Sequence, residues 1–127
     1  MLMNARTGQV VASDVELADT RETRRKGLLG RDGFDASAAL ILVPCFSIHT
    51  AFMRFPIDVV FADREGVIVD VVRNLAPWRI AASWRAHAVI ELAGGALGPG
   101  SVRAGDRLYL SAEAAPTDVA IFSAIPA

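Results

Sequence analysis

A cysteine and a histidine four residues apart can share a metal ion or pass a proton, and Cys45 and His49 have that spacing in PCFSIHTAFMRFPIDVVF, residues 44–61. Cys45 is the only cysteine of the chain, and His87 is the only other histidine. On a helix the pair would be neighbours. On a strand, four residues at about 3.3 Å each separate them by about 13 Å, too far for one metal or one proton transfer. Pro44 and the β-branched Ile48 and Thr50 favour extended chain. The spacing therefore argues against a metal centre, no cofactor is expected, and Cys45 reads as a buried, inert thiol.

The acids offer a second chemistry. Asp58, Asp70 and Glu91 lie on apolar, strand-like segments, and His87 shares a face with Glu91. A carboxylate cleft with an imidazole at its rim could carry acid–base hydrolysis. The hairpin register expected here makes Asp58 and Asp70 diagonal neighbours at roughly 7 Å. No nucleophile elbow, zinc-protease, P-loop or dinucleotide fingerprint marks a reaction class.

A third group is aromatic and cationic. Pro77-Trp78-Arg79 and Ser83-Trp84-Arg85 contain both tryptophans of the chain. Trp and Arg are the residues most enriched at binding hot spots, since an indole is a large rigid face and a guanidinium stacks or forks onto anions. The competing reading folds both rings inward to pin a long loop.

These groups need elements to hold them. Val11, Ser13, Val15 and Leu17 alternate with more polar neighbours, which predicts a first strand ending near Asp19. A helix follows, with Asp19 as its cap, Glu22 in capping-box position and Gly27 or Gly30 as its stop. Arg21, Arg24, Arg25 and Lys26 on it read as a solvated face, with acids around them. AALILVPC predicts a buried strand. PIDVVFADREGVIVDVV predicts a hairpin, with Asp63 to Gly66 as a type I turn and Gly66 in the left-handed position. Ile57, Val59, Phe61, Val67, Val69 and Val71 make its core face, and Asp58, Val60, Ala62, Ile68, Asp70 and Val72 the other. HAVIELA resumes the sheet, a last strand starts near Asp106, and the apolar tail 112–127 is expected to pack in part.

The chain has 127 residues, 53% apolar and 21% charged, with a formal net charge of -1. That suits one domain spanning 1–127 and gives no general attraction to nucleic acid. A single cysteine precludes an internal disulfide. The start MLMNARTGQVV has no signal-peptide pattern, and no apolar run reaches the ~20 residues of a membrane span. The expectation is a soluble, cytoplasmic protein, unless a leader has been removed.

GLLGR at 27–31, HTAFMRFPIDVVF at 49–61, the Gly66 turn, Pro77, VIELAGG at 89–95 and Gly105-Asp106 together resemble the bacterial and archaeal domain-of-unknown-function family 192, over about residues 20–110. Gly27, Leu28, Arg31, Pro56, Asp58, Phe61, Glu91, Gly95, Gly105 and Asp106 match the family pattern. Leu29 stands in place of a methionine, and His49-Thr50 in place of a Trp-Met pair. The resemblance implies a compact, mostly β domain with one main helix, and it implies no activity.

The expectation is thus a mostly β (α+β), small, barrel-like domain of antiparallel or mixed strands, with a helix near the N-terminus. Its role reads as a non-catalytic module binding a small molecule or a protein, with a carboxylate-based hydrolase and a purely structural domain as alternatives. The candidate cleft comprises Arg31, His49, Asp58, Asp70, Trp78, Arg79, Trp84, Arg85 and Glu91. Arg31 is the expected partner of Asp58.

Overall fold

The computed structural model describes residues 1–111; the expected packing of 112–127 lies outside them. The fold is mostly β, and α1 (Arg21–Lys26) is the one helix among the described residues. A five-stranded sheet runs in the order β3 (Asp14–Ala18), β4 (Ala38–Leu42), β9 (Ala88–Ala93), β6 (Ile57–Ala62), β7 (Ile68–Leu75). Only the β3–β4 pair is parallel within it. Strands β4 and β9 are apolar almost throughout because both of their faces are covered.

On one face, Val60, Ala62, Ile90, Leu92 and Ile41 pack against Leu2 and Leu108. These come from a three-stranded sheet of β10 (Leu108–Leu110), β1 (Leu2–Asn4) and β2 (Val10–Ala12). On the other face, Val59, Phe61, Val89, Leu40 and Leu42 pack against Leu28, Ile48, Met53 and Ala81. Ile48 and Ala81 belong to a two-stranded ribbon of β5 (Ser47–His49) and β8 (Ile80–Ala82). The sheets do not close on themselves, so the expected barrel-like form holds only loosely. Among the described residues no helix is long and apolar enough to cross a membrane.

Three local expectations need correction. The first strand is broken at Ser13, whose N–H and that of Asp14 both donate to the Ser37 carbonyl, giving β2 and β3 in different sheets. Helix α1 is capped by Thr20 rather than Asp19, in a box whose second member is Thr23, and Gly27 at φ 48° ends it. In the hairpin, Gly66 has φ 82° as expected. The register then slips: Ala62 opposes Ile68 but Phe61 opposes Asp70, so Val69 is an extra residue. This bulge turns Asp70 to the Phe61 face, away from Asp58.

Candidate ligand cleft

Alternation along β9 sends Ile90 and Leu92 into one core layer and Val89 into the other, and Glu91 follows Val89. In register it lies between Leu40 of β4 and Val59 of β6, both buried. A carboxyl group in that position loses its water. Among the described residues no donor reaches it, and burial pushes its pKa up to about 7. Gly27 stands over it. A Cβ built there would be 3.6 Å from Oε1, already in contact, so glycine at the helix end leaves the acid open to the space above.

That space is a cleft of about 290 Å³ with Glu91 in its lining. Leu28, Leu42, Ile48 and Met53 supply its apolar wall. Arg21, Arg24, Arg25 and Lys26 of α1 line its helix side, and Ser47 and His49 of β5 the other. Arg21, Arg25 and Lys26 are exposed and Arg24 is half-buried, as the solvated helix face was expected to be, and that face also borders the cleft. Cys45 also lines the cleft, half-buried; burial raises its thiol above the ordinary range, and Sγ donates to the Ser47 carbonyl at 3.3 Å. Cys45 and His49 thus border one cleft from an extended segment.

Of the nine candidate residues, only His49 and Glu91 meet here. Asp58 is fully buried on β6 and accepts from the backbone N–H groups of Asn74, at 2.9 Å, and Leu97, at 3.0 Å. Asn74 has φ 52°, so Asp58 pins a left-handed corner and a loop, which is architecture. Arg31 does not pair with it. The guanidinium forks onto Glu16 at 2.9 and 3.0 Å and covers the Phe34 ring, joining the loop after α1 to β3. Asp70 is exposed and accepts from the N–H of Val71.

Trp78, Arg79, Trp84 and Arg85 lie outside the cleft, on and beside the β5–β8 ribbon, and both indoles are exposed. The inward-folding alternative for the tryptophans does not hold. His49 opposes Ile80 across the ribbon, which links that surface to the cleft wall. His87 borders a wider, more open hollow with Pro44, Cys45 and Phe46; its Nε2 is buried without a partner, and burial holds the ring toward its neutral form. Among the described residues no three His, Cys, Asp or Glu side chains converge as metal ligands would.

The cationic lining was the part of this site least visible in the sequence. Four cations just before GLLG are a signal only once Gly27 is known to sit over a buried acid.

The sequence profile of domain-of-unknown-function family 192 (Uncharacterized ACR) matches residues 2–110, and the chain belongs to that family. A UPF0127 protein of Thermococcus sibiricus is 36% identical over 83 residues, which is 62% of this chain and 53% of that protein. The chain thus spans about half the length of that relative. Two crystal structures share the fold. One is a protein of unknown function from Novosphingobium aromaticivorans, with TM-score 0.68 and 21% identity over 76% of this chain and 74% of that one. The other is a proposed transcription regulator from Sinorhizobium meliloti, with TM-score 0.67 and 26% identity over 74% of this chain and 78% of that one.

Proposed function

We propose that this member of domain-of-unknown-function family 192 is a non-catalytic binding module that takes a small anion with a short apolar body into the cleft beside α1. The observation that carries this reading is Glu91: a buried carboxyl with no partner, at a cleft lined on one side by four cations. Below about pH 7 the acid is neutral and can both donate and accept a hydrogen bond. Arginines at the helix side fork onto carboxylate or phosphate, while Leu28, Leu42, Ile48 and Met53 suit the apolar body. The volume lies at the small end of ligand pockets. A carboxylate-pair hydrolase fits less well, because Asp58 and Asp70 are elsewhere and Glu91 has no acidic companion in the cleft.

The test is a thermal-shift and calorimetric screen of short aliphatic carboxylates and phosphate monoesters against wild type, Glu91→Gln and Arg24→Ala. Wild type should be stabilised by at least one of them, and Arg24→Ala should bind it at least tenfold more weakly. A compound that shifts wild type and both variants equally would take the cleft out of the reading.

A further inference from the structure

Phe46, Phe52, Trp78, Ile80 and Trp84 are 54 to 85% exposed, and all lie on the β5–β8 ribbon or the loops at its ends. Their display is held by the fold. Phe52 and Trp78 have φ 65° and 66°, a left-handed conformation that bulky residues rarely adopt, and their rings meet at 4.6 Å. Buried Thr50 fastens both loops. Its carbonyl accepts from the N–H groups of Met53 and Trp78; its hydroxyl donates to the Ala76 carbonyl at 2.7 Å and accepts from the Arg79 N–H at 2.8 Å.

The charge around this surface is one-sided. Segments 45–54 and 76–87, which build the ribbon and the loops at its ends, hold three cations, Arg54, Arg79 and Arg85, and no Asp or Glu; Arg54 pairs with Asp32 outside them, which leaves Arg79 and Arg85 beside the exposed rings. In a chain of net charge -1, that makes a cationic region on an otherwise acidic molecule.

From this surface, which is separate from the ligand cleft, we infer that the protein docks peripherally on an anionic phospholipid bilayer. Trp78, Ile80 and Trp84 enter the boundary between headgroups and acyl chains, and Arg79 and Arg85 meet the phosphates. The apolar side chains protrude and alternate with arginine, in Trp78-Arg79-Ile80 and Trp84-Arg85. The core of a protein–protein interface is depleted of charge and fits its anchors into pockets. Indoles at headgroup level beside basic residues are the pattern of a bilayer interface. His49 opposes Ile80, so docking brings the cleft wall close to the lipid surface.

The experiment is co-sedimentation with vesicles of phosphatidylcholine alone and of phosphatidylcholine mixed with phosphatidylglycerol, read also by indole emission. Both tryptophans of the chain are in this surface, so their emission should shift to the blue on binding. Binding should need phosphatidylglycerol and weaken with salt. The Ile80→Ser, Trp84→Ser double variant should melt as wild type does, because both residues are exposed, and should bind at least tenfold more weakly. Arg79→Gln with Arg85→Gln should erase the preference for the anionic lipid. Glu91→Gln should bind vesicles as wild type does, which keeps failure of the cleft reading distinct from failure of this one. Failure to sediment with either vesicle, equal binding to both, or a concentration-dependent dimer that Trp84→Ser abolishes would each overturn the proposal.

Discussion

Glu91 shows what a buried acid does to a molecule this small. Its folded pKa of about 7 lies above the ordinary 4.5, so the folded protein keeps a proton that the unfolded chain releases. The contribution to stability is therefore fully present below about pH 4.5, declines as pH rises, and levels off above about 7. The loss across that window is on the order of 3 kcal/mol. Glu91→Gln should remove the slope and leave the variant more stable than wild type above pH 7, measured as urea midpoints across the range. A variant with the wild-type slope would mean that another group titrates there. By the same sign, an anion held by the neutral acid should bind more weakly as pH passes upward through about 7. None of this was readable from VIELAGG. The isolation of Glu91 comes from Leu40 and Val59, which are far from it in the chain and reach it only across the sheet.

At the scale of elements, Thr50 is the residue on which the ribbon turns. Replacing its hydroxyl by a methyl in Thr50→Val removes the hydrogen bonds to the Arg79 N–H and the Ala76 carbonyl, at about 0.5–1.5 kcal/mol each because Ala76 and Arg79 are exposed residues that water can reach. The variant should unfold at lower urea. Its native indole emission should change even at full folding, because Trp78, although its N–H keeps the Thr50 carbonyl, loses the hydroxyl's hold on the segment from Ala76 to Arg79 that carries its left-handed backbone. Unchanged native emission would show that the ring display does not depend on Thr50. The hairpin makes the same point about local and distant information. Asp63 to Gly66 announced the turn, because Gly66 must take a positive φ and the Asp63 carboxyl can accept from the N–H groups of Glu65 and Val67. The bulge at Val69 was not legible. Val67, Val69, Val71 and Val72 leave the apolar alternation ambiguous, so neighbouring contacts set the register and carried Asp70 away from Asp58. Helix α1 erred by one residue only, since Thr20 and Thr23 form the same box that Asp19 and Glu22 would have formed.

Across the whole described molecule, the two ends are joined through Asp106. Strand β1 pairs with β10, and Met1 and Ser111 exchange hydrogen bonds at 2.8 Å. Beneath that pair, Asp106 is buried and accepts from Asn4 at 2.9 Å, from Arg6 at 2.6 and 3.0 Å, and from the Arg103 N–H at 3.0 Å. The Arg6 hydrogen bond, more than any other contact, lowers its pKa from 3.8 to about 2. Here the folded value is the depressed one. Stability from this carboxylate is present above about pH 4 and is lost as pH falls toward 2, a window that does not overlap the one set by Glu91. Asp106→Asn should therefore be clearly less stable than wild type at neutral pH, and the gap between their urea midpoints should close as the pH falls to about 2. A gap that persists at acid pH would assign the effect to packing at the β1–β10 seam, with the charge of Asp106 playing no part.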